Sequence, residues 1–143
     1  MSAEENKAVA RRCYEAINKA MTAEGLGLLS EVLAPNIVDH NPVPGQGPGL
    51  EGVKQTFGQF KAAFSDFSIS VEDMVAEGDK VASQVTFHMT HTGEFMGIPA
   101  TGKRITYPGI DILRIAGGKV VDRWGQFDDI GMMQQMGVLP PPG

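Results

Sequence analysis

The chain is short of several things that would have narrowed its function at once. Among its 143 residues there is a single cysteine, Cys13, so no internal disulfide can form and a reducing cytoplasm fits better than an oxidising compartment. Basic residues are few. Twelve Lys and Arg against seventeen Asp and Glu leave a formal charge of -5, which argues against a nucleic-acid backbone or an anionic membrane surface as partner. The pairs Arg11-Arg12 and Lys103-Arg104 are too small to form a basic stripe. No apolar run approaches the ~18 residues needed to span a bilayer, and the N-terminus has neither the apolar core nor the cleavage pattern of a signal peptide.

Motifs are equally scarce. The three histidines, His40, His88 and His91, stand outside any HxxxH or HExxH spacing and have no cysteine pair beside them, so no metal site is expected. His88 and His91 lie three apart on a strand pattern, which directs them to opposite faces. There is no GxSxG elbow, and the glycines at 45, 47 and 49 match no phosphate-binding loop. Cys13 falls on the apolar face of a helix and reads as a small core residue rather than a nucleophile.

What is present is a hydrophobic content of 42%, enough for a sizeable core in one domain over residues 1–143. Val9, Cys13, Ile17 and Met21 recur every four residues and predict a helix from 3 to about 22, with Ser2 as cap and Glu4 and Glu5 in the first turn. Leu26 to Leu33 suggest a short second helix stopped by Pro35. The Pro- and Gly-rich loop IVDHNPVPGQGPG follows a short strand, and Val53, Phe57, Phe60 and Phe64 define a third helix over 50–64 despite Gly52 and Gly58.

The period then changes to two. Phe67, Ile69 and Val71 alternate with polar residues, as do Val81, Ser83, Val85, Phe87 and Met89; two more strands cover 104–115 and 119–127. The gaps are too short for crossover helices, so an antiparallel sheet is expected and the fold class is α+β. The tail, carrying Met132, Met133, Met136 and Leu139, reads as a short helix that docks on the domain or a second subunit, with disorder beyond Pro140.

Between the middle strands runs HTGEFMGIPATGKR, from His91 to Arg104. Gly93, Gly97 and Gly102 loosen this connection and Pro99 stiffens it, while Phe95, Met96 and Ile98 supply apolar side chains where a plain hairpin would be polar. It reads as a pocket cover.

Acid/base chemistry in a pocket is the reading that remains. Asp111 shares a strand face with Tyr107, Gly109 and Leu113, where burial would raise its pKa toward the range a general acid or base needs; equally, it would pair with Arg123 on the next strand. On that last strand Val121, Arg123, Gly125 and Phe127 share one face, opposite Asp122, Trp124 and Gln126. Gly125 leaves room for a ligand or a close neighbour, and Trp124 is either a stacking surface or core. Asp128 and Asp129 are cap candidates for the tail helix, with Asp128 an alternative cavity-rim residue. His40 is a proton donor or acceptor at a pocket mouth, or a pin for its loop.

Asp39-His40-Asn41-Pro42, the Gly/Pro loop through Gly49, the stretch from His91 to Lys103, Gly109-Ile110-Asp111, Arg123-Trp124 and Gln135-Met136-Gly137 together resemble the SnoaL-like polyketide cyclases, of the nuclear transport factor 2-like or ketosteroid isomerase-like superfamily. The likeness covers about residues 5 to 139. It implies a cone-shaped fold, a curved antiparallel sheet wrapped around N-terminal helices and enclosing an apolar pocket. It also implies a homodimer paired through the sheet, and a cofactor-free intramolecular aldol reaction on a small apolar carbonyl compound or aromatic ester. In that family an Asp on the last strand works with a His on the preceding strand; those positions fall here on Gly125 and Asp111. With no carboxylate at 125 the family's base is missing, and Asp111 is the residue left to take over as acid/base from the facing strand, with His40, His91 or Asp128 completing a relay. The alternative is a non-catalytic small-molecule-binding or accessory protein, or an isomerase or hydrolase using the same pocket. Tyr107, Arg123, Trp124, Gly125, Phe127, Phe95, Met96 and Met89 are then the expected substrate contacts.

Overall fold

Ser2 and Glu5 exchange hydrogen bonds at the start of helix α1 (Ala3–Thr22): the Glu5 amide donates to Ser2 Oγ at 3.1 Å and the Ser2 amide to Glu5 Oε1 at 3.2 Å. This reciprocal capping box satisfies amides that a helix start otherwise leaves unpaired. The computed structural model describes residues 2–22 and 25–140, so the disorder expected beyond Pro140 lies outside the described residues. One face of α1 is buried through Val9, Ala10, Cys13, Tyr14, Ile17 and Met21, a broader stripe than the four-residue repeat alone suggests.

After α1 come a 3-10 helix (Leu26–Glu31), β1 (Leu33–Asp39), α2 (Gly49–Ala63), β2 (Phe64–Glu77), β3 (Lys80–His91), β4 (Arg104–Ala116), β5 (Lys119–Phe127) and α3 (Asp129–Gln135). The second helix is shorter than the leucine pattern predicted. Pro35 does not terminate it but sits inside β1, a strand at the sheet's edge, where its missing N–H costs no ladder bond to a second neighbour.

The single sheet has the order β1-β5-β4-β3-β2. Strands β2 to β5 pair antiparallel, as short connections require, whereas β1 joins β5 in parallel, with Asp39 beside Arg123. That pair escapes the gap argument because α2 and the whole meander lie between its strands. Register shifts at Ser65/Ser68 and Val71/Asp73 interrupt the β2–β3 ladder, and Asp66 adopts a φ of 51° there. Such irregularities bend a sheet. The curved sheet wraps around the helices, and its inner face contributes Val81, Val85, Met89, Ile105, Leu113 and Val120 to the core that the buried face of α1 also enters.

The connection from β3 to β4 is anchored where it begins. The His91 amide donates to the Lys103 carbonyl at 2.9 Å, and the Gly102 amide to the His91 carbonyl at 2.8 Å. Farther out, Phe95 and Ile98 exchange both backbone hydrogen bonds around Met96 and Gly97, whose φ values are 49° and 82°. Two successive left-handed residues make a tight hairpin turn, which folds Phe95 inward onto Phe60 and Phe64 and leaves Met96 exposed.

Candidate functional site

The sheet, α1, α2 and α3 enclose a cavity of about 700 Å³, walled largely by apolar side chains that include Phe57, Phe60, Phe87, Phe127, Met132 and Met136. A charged cluster stands at one end of this wall. Asp111, 6% exposed, faces the cavity from β4 and accepts a hydrogen bond on Oδ1 from Arg123 Nε at 3.0 Å and another on Oδ2 from the Tyr14 hydroxyl at 3.2 Å. Arg123 is shared, because its Nη1 donates to Asp39 Oδ1 at 3.1 Å and to the Asn41 carbonyl at 3.3 Å.

The electrostatics follow from that sharing. Burial raises the pKa of Asp111 above its ordinary value; Arg123 and Tyr14 offset this in part, and the negative charge of Asp39 adds to the rise. One guanidinium divided between two carboxylates does not fully offset the burial of Asp111. Tyr14 is pushed well above the usual phenol range, by burial first and by the charge of Asp111 second, so it stays protonated as a donor. Cys13, also on the cavity wall, is pushed up to about 12 by burial and by Asp111, which keeps its thiol protonated.

Position 125 explains the departure from the family's pattern. Gly125 lies directly across the ladder from Asp111. A Cβ at 125 would stand 2.1 Å from Arg123 Nη2 and 2.5 Å from Asp111 Oδ1. Of the two uses expected for the space at Gly125, a ligand or a close neighbour, the ion pair takes the second. A carboxylate therefore occupies the volume into which a side chain from 125 would project, but it is delivered from β4 rather than β5.

Tyr107, Arg123, Gly125, Phe127, Phe95 and Met96 line the same cavity as Asp111. The other candidates lie elsewhere. His40 is on the outer face of the sheet, its Nε2 2.8 Å from Asp122 Oδ1 and its ring stacked on Trp124 at 4.3 Å between centroids. Trp124 is thus an outer-face residue, with Lys80 Nζ 5.1 Å above its ring, and not a cavity wall. Alternation along an extended chain turns His40 outward while its neighbours Asp39 and Asn41 turn in.

His91 is fully buried in the base of the β3–β4 connection, where Nδ1 lies 3.0 Å from Thr101 Oγ1 and accepts from the Thr101 amide at 3.3 Å. It pins the connection instead of facing the cavity. Met89 is fully buried core. Asp128 accepts from the Gly131 amide at 2.9 Å as the cap of α3 and does not line the cavity. Among the described residues no three His, Cys, Asp or Glu side chains gather as a metal site would require.

Sequence reasoning passed over Tyr14, Asp39 and Asn41. Tyr14 was findable, since it follows Cys13 on the buried stripe of α1. Asp39 and Asn41 flank His40, and only the parallel pairing of β1 with β5 shows which of the three points inward.

Comparison with known proteins agrees with this architecture. The family model for SnoaL-like polyketide cyclases matches residues 8–136. The chain is 33% identical over 132 residues to the aklanonic acid methyl ester cyclase of Streptomyces peucetius, covering 89% of this chain and 87% of that one. Among solved structures, TsrD from Streptomyces laurentii superposes with a TM-score of 0.83 at 29% identity, over 93% of this chain and 98% of that one. AclR from Streptomyces galilaeus, described as a candidate hydroxylase, gives 0.84 at 29% identity over 99% and 87%. A shared container thus serves proteins given different activities. With its matched family model, its wrapped sheet and its apolar cavity, the chain belongs to the SnoaL-like polyketide cyclase family, within the nuclear transport factor 2-like superfamily.

Proposed function

We propose that this protein is a cofactor-independent acid/base enzyme of the polyketide cyclase type, closing a ring in a small, mainly apolar carbonyl compound or aromatic ester by an intramolecular aldol reaction. The observation that carries this reading is the placement of Asp111: a carboxyl with a raised pKa, nearly buried, at one end of a largely apolar cavity. In its ionised form Asp111 removes a proton from the carbon next to a carbonyl. The resulting enolate carbon attacks the second carbonyl carbon, a carbon–carbon bond forms, and the alkoxide oxygen takes the proton back from Asp111. Arg123 and Tyr14 orient the carboxylate, which retains lone pairs beyond the two they occupy. The apolar walls exclude water, which favours an enolate held by fixed dipoles over one lost to bulk proton exchange.

The organism's own substrate is approached through a ligand retained by the purified protein, identified by native mass spectrometry and offered back for turnover. Asp111→Asn is expected to abolish conversion of that compound while the protein still binds it; unchanged turnover removes Asp111 from the role. A second reading has its own support: with Arg123 and Tyr14 both bonded to it, Asp111 resembles the floor of a binding cavity as much as a free base. In a non-catalytic small-molecule carrier the retained ligand would be bound and released unaltered.

The proposal includes a homodimer and a cytoplasmic setting. Val75, Ala82, Ile112 and Trp124 lie in register across four strands on the outer face of the sheet, with Ile110 beside them 55% exposed. That apolar row is the surface offered to a second copy.

A further inference from the structure

The Asp111 cluster is not the cavity's sole polar feature. Tyr107 lies on the same face of β4 as Asp111 and four residues before it, so the two backbone positions stand about 13 Å apart along the strand. Between them is Gly109. A Cβ there would stand 2.3 Å from the Phe127 ring, so the absence of a side chain lets that ring lie flat across the strand. The cavity therefore runs from the Asp111 end, over an apolar stretch floored by Phe127 and Phe87, to Tyr107 at the solvent edge. There the Tyr107 hydroxyl donates to Asp129 Oδ1, from the first residue of α3.

A phenol has one proton and two lone pairs, and a carboxylate has only lone pairs. The one proton of this pair is committed to the bond between them. Burial, the bond to Asp129 and the charge of Asp129 all hold the Tyr107 phenol above its ordinary range, so the proton stays. The nearby Gln135, whose amide exchanges bonds with the Thr106 backbone at 2.7 Å in both directions, does not line the cavity. What the pair presents to the cavity is acceptor capacity.

We propose that Tyr107 and Asp129 form a second recognition station at the cavity mouth, one that selects ligands carrying a hydrogen-bond donor, a hydroxyl or N–H group, at the end remote from the reacting carbonyl. This rests on the reading of the cavity as a site for a carbonyl compound or ester. It makes the two residues determinants of specificity rather than participants in the chemistry. A carbonyl, an ether or a carboxylate at the same end meets only lone pairs and negative charge.

Three rigid bicyclic esters test it: methyl 6-hydroxy-2-naphthoate, methyl 6-methoxy-2-naphthoate and methyl 2-naphthoate, each titrated by fluorescence at neutral pH. The wild-type protein is expected to bind the hydroxy ester about fivefold more tightly than the methoxy ester, the worth of one net hydrogen bond. Asp129→Ala leaves the Asp128 cap in place and frees the Tyr107 proton to donate outward. In that variant the ratio is expected to fall to one or invert, a change that loss of packing alone would not produce. Tyr107→Phe combined with Asp129→Ala is expected to bind hydroxy and methoxy esters alike. Equal affinities in the wild type, or a hydroxyl preference that survives in both variants, overturns the station and leaves the cavity reading standing. Failure of the wild type to bind any of the three esters overturns the cavity reading and the station with it.

Discussion

Asp111 concentrates the consequences of burial in one side chain. If it serves as a base, turnover requires the ionised form, so the rate is expected to climb as pH passes its raised pKa and to level off above it, by an effect on the order of 100-fold or more that Asp111→Asn abolishes. A pH–rate profile with no limb above the ordinary aspartate range would remove the proposed base. The same group has a stability signature of definite sign. Below the model-compound value of 3.8 both folded and unfolded chains hold the proton; above it the unfolded chain releases it while the native state keeps it, up to the raised folded value. The native state thus binds more protons across that window, and stability falls as pH rises through it. Urea midpoints measured against pH should show this slope in the wild type and a shallower one in Asp111→Asn; parallel slopes would mean that burial does not act on Asp111 as described. Gly125 yields a steric prediction. Gly125→Ala brings a methyl group to 2.1 Å from Arg123 Nη2, so the guanidinium must move and release Asp111 or Asp39. The expected cost is about 1–3 kcal/mol of stability together with loss of turnover, read from melting curves and assays on one preparation.

At the scale of elements, the short helix α3 has influence beyond its length. It brings Met132 and Met136 onto the cavity and Asp129 to Tyr107, yet its start depends on the Asp128 carboxylate bonding the Gly131 amide at 2.9 Å. Asp128→Ala should cost about 1 kcal/mol, felt in the helix first. Hydrogen exchange should therefore quicken through residues 129–136 and stay unchanged in the sheet; unaltered exchange in α3 would show that packing of its methionines, not the cap, holds it. The β3–β4 connection is held by a different device. His91, buried against the Phe64 ring, fixes its base through Thr101, and the Met96–Gly97 turn folds Phe95 back onto α2. The long connection is thus a structured part of the wall. The apolar residues that set it apart in the sequence divide their work, Phe95 and Ile98 packed on the core and Met96 at the exposed rim of the cavity.

For the whole molecule, the row Val75, Ala82, Ile112 and Trp124 supports the proposed pairing of two copies through the outer sheet face. Light scattering should give twice the mass of one chain, and Ile110→Glu, which places a charge beside that row, should give the mass of one; a monomeric wild type at micromolar concentration would end the dimer proposal. The sequence by itself determined much of the frame: α1 from its four-residue repeat, α2 from its phenylalanines, and β2 to β5 from runs of alternating residues separated by short gaps. These features are local, and the periods of helix and strand are written in neighbouring residues. Alternation also grouped Asp111 with Tyr107 on one face of its strand, and Arg123 with Gly125 and Phe127 on one face of theirs, but did not say which face turns inward. Tertiary structure alone decided the rest. That His40 turns outward while Asp39 and Asn41 turn in depends on β1 pairing in parallel with β5, a contact between segments some eighty residues apart in the chain. That Asp111 fills the space above Gly125, with Tyr14 reaching it from α1, depends on register and on helix placement together. Such long-range packing leaves no periodic trace in a single sequence, and here it decides which polar side chains meet in the cavity.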